Sequence, residues 1–575
     1  MAVLAPAHPT AAPDHPADLV PLPSPYAREE RLAGWFVGIA ISAVALGMLI
    51  GLLQALEYAG IDLYPYLKPF IHSYYQGLTL HGVLNALVWT TFFICGFLIY
   101  VTVQAYRQPL PRPELAELAF WVMTVGLVMA AVPMLTDDAT VMFTFYPPML
   151  AKWTFYLGLT LVVAGTWLVT AALAFAYRQW RRSHPDERTP LAAFMSLVTF
   201  VMWSIASVGI AMEMIFFNLP LSLGLIEQTN PTIARTLFWL TGHPIVYFWL
   251  LPAYVSWYTL VPRQAGGKLF SDPMARFSFI LFLLLSSPVG LHHQFTDPGI
   301  SATWKLVHAF ITFAVFFPSL LTFFNVVASL ENAGRARGGR GILGWIVRLP
   351  WNDPTVTPQI LAMLLFAFGG IGGLVNASYQ VNLAIHNTAW IVGHFHLTVG
   401  SAVTLSFMSI SYWLLPRLLG RQLWAPKLAM VQGWLWFGGM ILFSNALHRL
   451  GLLDMPRRTA IGSAPYVQQV ATPVVAEWQA LLPLVAIGGT ILAISGVLYI
   501  TICVMTPLLG KRVATAPPEL EFSEAQAGPE HAPALLDRWR PWVMLAIALV
   551  IVAYGPTLLE QAMTNGLTAP GRRVW

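Results

Sequence analysis

Apolar runs long enough to cross a lipid bilayer recur along the whole of this sequence. Thirteen stand out, at 35–58, 74–106, 118–137, 150–178, 191–218, 232–261, 274–292, 303–330, 358–378, 388–416, 428–452, 474–507 and 541–562. A bilayer core takes about 20 helical residues to span, and inside it every backbone N–H and C=O must find a partner within the chain. Runs of this length and number predict an all-α integral membrane protein with about thirteen transmembrane helices. Composition agrees: 57% of the 575 residues are hydrophobic and only 10% are charged, where a soluble domain carries roughly 25% charged residues. A soluble enzyme is excluded, and nothing points to nucleic acid as a partner.

Short loops marked by Pro, Gly or charge, such as RQPLPRPE and RARGGRG, separate the runs. Residues 1–30 are rich in Pro, Ala and His and read as a disordered tail rather than a signal peptide. Residues 31–575 then form one membrane domain, with the longest polar linker at 511–540. The two cysteines, Cys95 and Cys503, lie apart in apolar runs. They cannot build a CxxC site or a copper–thiolate centre, so any such centre belongs to another chain. The 22 Trp and 34 Phe are ample for interfacial belts and for packing around flat cofactors. With the N-terminus in the cytoplasm, 22 of the 31 Lys and Arg residues fall on the cytoplasmic side and 9 outside. The positive-inside rule therefore predicts a plasma-membrane protein with N-terminus in and C-terminus out.

An imidazole in such a segment is costly unless it is ligated or hydrogen-bonded. The stretch VGHFHL, residues 392–397, holds His394 and His396 two positions apart. At about 100° per residue their rings point about 200° apart, so one helix can carry a metal centre on each side. Of fourteen histidines, six are placed in spanning segments at comparable depth: His81, His243, His292, His293, His394 and His396. With the N-terminus inside, all six fall in the outer part of the membrane, which points to one shared site. A lone residue such as His81 is more often a packing histidine. The adjacent pair His292 and His293 is harder to dismiss, because both rings can reach one ion. With His243 they make a three-imidazole site suited to copper or zinc.

The stretch GHPIVYFWLLPAYVSWY, residues 242–258, adds a second constellation. Pro244 predicts a kink just after His243. His243 and Tyr247 stand at i and i+4 on one helix face, and Tyr254 and Tyr258 continue that stripe inward. A tyrosine stripe is usually packing, but this one links a metal site to the cytoplasmic side and suits a proton relay. Ser319 and Thr322 lie at a depth that can join it, although such hydroxyls more often bond their own helix carbonyls. In the outer loop DMPRRT, Arg457 and Arg458 run against the charge bias and call for an anion. Haem carboxylates match, since guanidinium forks pair with them at two points. His386 and Asn382 fall near the same place.

GHPIVY, the adjacent histidines, HNTAWIVGHFHL, the PRR loop and GKLFSDPMAR together resemble subunit I of the haem-copper oxygen reductases, from about residue 30 onward. The likeness is strongest to the B-type branch, the two-haem cytochrome c oxidases of some thermophilic bacteria and archaea. It implies four-electron reduction of O2 to water, coupled to proton uptake and pumping. His81 and His396 would be the axial ligands of a low-spin haem of b type, and His394 the single ligand of a high-spin haem of a type. His243, His292 and His293 would bind one copper ion, with Tyr247 joined covalently to His243. Tyr254, Tyr258, Ser319 and Thr322, with Ser271 near the inner mouth, match the family's single proton channel. Arg457, Arg458 and His386 match the neighbourhood of the haem propionates.

The same resemblance implies partners: a subunit II carrying the copper centre through which electrons arrive, cytochrome c as donor, and a small single-helix subunit. Two positions depart from relatives. Ile245 stands where the A-type pattern has a glutamate, which argues for B-type, and Asn382 stands where an aspartate is expected. A five-coordinate iron facing a three-coordinate copper leaves a gap for O2, and a dry shell tunes both potentials. A nitric oxide reductase would lack Tyr247, a quinol oxidase would differ mainly in its donor, and a cofactor-free transporter should show inverted repeats that are not seen here.

Overall fold

The computed structural model of the chain describes residues 24–68, 70–462, 473–513, 520–564 and 568–574. The expected tail at 1–30 lies outside the described residues up to position 23, and the first helix already begins at Ala27. The main helices in chain order are α1 (Ala27–Tyr58), α2 (Tyr74–Tyr106), α3 (Pro113–Leu135), α4 (Trp153–Ser183) and α5 (Leu191–Ser222). Next come α6 (Pro231–Gly242), α7 (Pro244–Thr259), α8 (Asp272–Leu285), α9 (Ala302–Ala336) and α10 (Thr357–Ala377). The last four are α11 (Ala389–Leu419), α12 (Pro426–Leu452), α13 (Val475–Leu509) and α14 (Trp539–Met563).

Ten helices among the described residues are long and apolar enough to cross a membrane, against the thirteen runs expected. The three remaining runs differ for local reasons. Pro244 has no N–H to continue the helical ladder, so the run 232–261 is split into α6 and α7 on either side of His243. The run 274–292 yields only the 14-residue α8, followed by a short 3₁₀ turn at Gly290–Gln294. The run 428–452 forms the 27-residue α12, whose Gln432, Asn445 and His448 dilute its apolar character.

Burial orders the bundle. The apolar window of α2 is 89% buried, against 33% for α9 and 22% for α14, whose outward faces suit lipid. Around α2 the core is aromatic: Phe93 stacks on Phe407 at 4.4 Å, and Trp89 meets Tyr499 edge-on at 6.3 Å. Hydrogen bonds between buried polar side chains fix α11, α12 and α13, with no hydrophobic force between helices in lipid to do so. Tyr412 donates to Gln432 Oε1 at 2.8 Å, Gln432 Nε2 donates to Ser495 Oγ at 3.0 Å, and Ser411 pairs with Tyr499 at 2.9 Å.

The polar linker expected at 511–540 folds back onto the bundle over its second half, while residues 514–519 lie outside the described residues. Ala525–Ala527 pairs in parallel with Leu269–Ser271 just before α8. Buried Arg276 on α8 binds Asp272 at 2.5 Å, Asp537 of the linker at 3.1 Å and the Thr189 carbonyl at 2.7 Å. A buried guanidinium needs every one of these partners, and together they fix the helix that leads to His292 and His293.

Candidate metal centres

His243 occupies the break between α6 and α7, and His292 and His293 occupy the 3₁₀ turn after α8. One nitrogen from each of the three lies within 4.8 Å of the others. His243 Nδ1 is 3.2 Å from His293 Nε2, and the buried His243 Nε2 has no hydrogen-bond partner. Thr312 Oγ1 donates to the His308 carbonyl at 2.5 Å, so its lone pair accepts from His292 Nδ1–H at 2.9 Å. That bond leaves His292 Nε2 as the free base a metal requires. Trp239 stacks on His293 at 4.1 Å with 7° between planes. Three neutral imidazoles without a carboxylate fit copper or zinc with a position left open.

His81 on α2 and His396 on α11 lie with rings nearly parallel, at 12° and 6.3 Å between centroids. His81 Nδ1 is 2.8 Å from the Gly47 carbonyl, and His396 Nδ1 is 2.8 Å from the Val392 carbonyl. A carbonyl only accepts, so each Nδ1 carries the proton and each Nε2 offers a lone pair. Both helices then pass into a π-helical turn, Val83–Trp89 after His81 and Thr398–Val403 after His396. Such turns free carbonyls and often mark functional sites. Here Asn85 Nδ2 donates to the His81 carbonyl and Ser401 Oγ to the His396 carbonyl, each at 2.9 Å.

His394 turns to the opposite side of α11, against α10. A Cβ added at Gly372 would come within 2.9 Å of His394 Nδ1. That buried nitrogen is directed toward the Gly369 backbone without a hydrogen bond of good geometry. The opposite orientation of His394 and His396 expected from their spacing is thus present.

All six histidines line a single cavity of about 390 Å³, together with Tyr247, Thr312, Ser319, His386, Arg457 and Arg458. Its arginine end is short of anions. Arg457 Nη2 donates to Asn387 Oδ1 at 2.9 Å while its Nε is buried without a partner. Arg458 lies over the Phe143 ring at 5.0 Å with Nη2 unpartnered. The nearby carboxylate of Asp297 is already bound to Arg235 at 2.9 Å. Burial, aided by the charge on Arg458, pushes Arg457 down to about 9. Burial alone would raise the Tyr146 phenol, but Arg458, Arg235 and Arg457 outweigh it and lower it. Burial and the Arg457 charge bring His386 down to about 4, with its Nδ1 3.0 Å from Asn382 Oδ1. Such a surplus of buried positive charge fits carboxylates.

Tyr247 lies beside His243 with centroids 5.0 Å apart. Tyr254 faces Ser319, and Tyr258 faces Thr322 and Ser278, although neither phenol makes a hydrogen bond of good geometry. Thr322 gives its own proton to the Pro318 carbonyl at 2.8 Å. Ser271 caps α8, accepting from the Met274 N–H at 3.3 Å, and its backbone is clamped by Asn325. Among the described residues no hydrogen bond joins Ser271 to the tyrosines. Two further histidines lie in helices of the bundle, beyond the six expected. His308 accepts from the Leu291 N–H at 3.3 Å and donates to the Ala553 carbonyl at 3.1 Å, and His448 bonds the Ser444 carbonyl at 2.7 Å. Both are satisfied packing histidines. Thr312, Trp239, Ser278, Tyr146 and Arg235 were not signalled by any motif.

Comparison with known proteins bears on this arrangement. The family model for cytochrome c and quinol oxidase polypeptide I matches residues 31–491. The chain is 46% identical over 558 residues to cytochrome c oxidase subunit 1 of Thermus thermophilus, covering 95% of this chain and 97% of that protein. It is 25% identical over 467 residues to cytochrome c oxidase subunit 1 of Synechocystis, covering 77% and 78%. Among solved structures, a heme-copper terminal oxidase dimer matches with a TM-score of 0.88 and 39% identity over 95% of both chains.

Proposed function

We infer, from the premise that this chain belongs to the cytochrome c and quinol oxidase polypeptide I family, the work its residues do as the catalytic subunit of a terminal oxidase. The single observation that carries the reading is the cavity walled by all six histidines. His81 and His396 hold a low-spin haem of b type, His394 holds a high-spin haem of a type, and His243, His292 and His293 hold one copper ion. Bound there, these groups would supply the redox chemistry by which O2 takes up four electrons to become water.

The chain's own residues do the rest. Carbonyls at Gly47 and Val392 keep His81 and His396 in the tautomer that presents Nε2, and Thr312 does the same for His292. Arg457, Arg458 and His386 take up the haem carboxylates. Tyr247, covalently joined to His243, supplies a proton and an electron to the reaction. Tyr254, Tyr258, Ser319 and Thr322, with Ser271 at the inner mouth, deliver protons from the cytoplasmic side. The apolar wall excludes water, and each charge moved through the membrane field stores about 2.3 kcal/mol per 100 mV. Residues 31–575 act as one domain of a bacterial or archaeal plasma membrane, N-terminus inside and C-terminus outside. The chain is of the B-type branch and is served by a subunit II with its copper centre, cytochrome c and a small single-helix subunit.

A pyridine haemochrome assay with copper analysis on the purified complex tests this, with two haems expected per complex and one copper beyond those held by the centre of subunit II. His243→Ala should abolish O2 reduction while the low-spin haem remains reducible. Retained turnover in that variant would remove the copper assignment.

A further inference from the structure

Asn85 stands four residues after His81 on α2, inside the π-helical turn Val83–Trp89, and no metal assignment accounts for it. Its Nδ2 donates to the His81 carbonyl at 2.9 Å and lies 3.1 Å from His81 Nδ1. The Nδ1 proton is already given to the Gly47 carbonyl at 2.8 Å, so the two nitrogens face each other as donors and no bond joins them. Asn85 Oδ1 is buried without a partner. An orphaned buried acceptor is costly, and one that persists in a native helix calls for an explanation. Packing alone supplies none, since a leucine of the same size would fill the space with no oxygen left over.

The neighbouring helix is shaped to hold the amide there. α1 meets α2 at Gly47 and Gly51, a pair of small residues one turn apart that lets two membrane helices approach closely. A Cβ at Gly47 would come within 2.5, 2.6 and 2.7 Å of Asn85 Oδ1, Nδ2 and Cγ. Any larger residue at 47 would therefore push the carboxamide away from His81. The other low-spin ligand has no such neighbour among the described residues. His396 Nδ1 bonds the Val392 carbonyl of its own helix, and Ser401 Oγ reaches only the His396 carbonyl.

We propose that Asn85 is a positioning residue that tunes the low-spin haem through His81, and that position 47 is glycine to admit it. The inference rests on His81 being an axial ligand of that haem. The amide acts in two ways. Its bond to the His81 carbonyl ties the ligand's backbone across a π-helical turn, where helix carbonyls are freed, and so holds the ring plane at 12° to that of His396. Its N–H dipole places partial positive charge beside the imidazole. That charge disfavours the more positive, oxidised iron and raises the reduction potential. Hydrogen bonding behind an axial ligand is one of the levers a protein has over haem potential.

The test compares the purified complex with its Asn85→Leu and Gly47→Ala variants, by redox titration of the low-spin haem band and by EPR of the oxidised protein. Asn85→Leu keeps the volume and removes the donor. Gly47→Ala keeps every polar atom and displaces the amide with one methyl group. In Asn85→Leu the balance between the two oxidation states should shift about threefold, a fall of about 30 mV at about 59 mV per tenfold. The largest g value of the low-spin ferric signal follows the angle between the axial imidazole planes. It should rise as the His81 ring leaves its 12° setting. Gly47→Ala should move both readings in the same direction, and it reads the displacement even where Asn85→Leu does not assemble. Copper content and the high-spin haem bands should match the parent in both variants, showing that the bundle stands. The proposal is overturned if Asn85→Leu holds its full low-spin haem with potential and g values unmoved. It is overturned equally if only Gly47→Ala moves them, which would place the effect in the backbone of α1. A parent complex without low-spin haem would instead overturn the assignment of His81, and the proposal with it.

Discussion

Gly51→Ala adds one methyl group to α1 and should empty the low-spin haem site without weakening the bundle. The new Cβ would stand 2.7 Å from His81 Cε1 and 2.9 Å from its Nδ1. Carbon atoms settle at about 3.5 Å, so the His81 ring must retreat by about 0.8 Å. A retreat of that size carries Nδ1 away from the Gly47 carbonyl, now 2.8 Å distant, and out of hydrogen-bond range. The lost bond costs about 1 kcal/mol, and disturbing such a ligand-orienting contact lowers metal affinity about 10–100-fold. Alanine in a helix interior is better than glycine by about 1 kcal/mol, so helix formation itself gains. The variant should therefore fold, keep its copper and high-spin haem, and lose low-spin haem on purification. Pyridine haemochrome analysis with a reduced-minus-oxidised spectrum reads the ratio directly. A full complement of low-spin haem with an unshifted band would refute the reasoning.

Thr312→Val removes the acceptor that orients His292, and should lower copper retention against a chelator about 10–100-fold, with Thr312→Ser restoring it. Metal analysis after dialysis checks this, and an unchanged copper content would count against the role given to Thr312. Tyr258→Phe removes a buried hydroxyl that makes no hydrogen bond of good geometry, so thermal stability should change by less than about 1 kcal/mol. Turnover should nevertheless fall about 100-fold if that hydroxyl carries protons, and steady-state O2 uptake decides it. Asn382→Asp turns a buried donor, Nδ2 at 2.7 Å from the Asn376 carbonyl, into a second acceptor facing it. The expected cost is about 1–3 kcal/mol, read as faster thermal inactivation. A variant as durable as the parent would contradict it.

The sequence announces the parts of the site that local chemistry encodes. Adjacent histidines, a two-residue spacing on a helix, and a proline after His243 each leave a mark in one short window. The structure turns His394 and His396 to opposite sides and breaks the helix at His243, while the adjacent histidines fall in a 3₁₀ turn rather than at the end of a spanning helix. What escapes notice is supplied across the fold. Thr312 reaches His292 from α9, Trp239 lies one turn before His243 as an ordinary apolar residue, and Arg235 meets Tyr146 only through packing. The π-helical turns behind His81 and His396 have no compositional signal, because the side chains that tolerate them are those of any membrane helix. His308 shows the opposite failure. From position alone it resembles a ligand as much as His81 does, and only its two backbone partners mark it as structural.

Anomalous diffraction from crystals of the complex, measured on both sides of the iron and copper absorption edges, tests the central claim most directly. The account predicts two iron peaks, one between His81 and His396 and one beside His394, and a single copper peak enclosed by His243, His292 and His293. Iron in the three-histidine position, or no iron between His81 and His396, would contradict it.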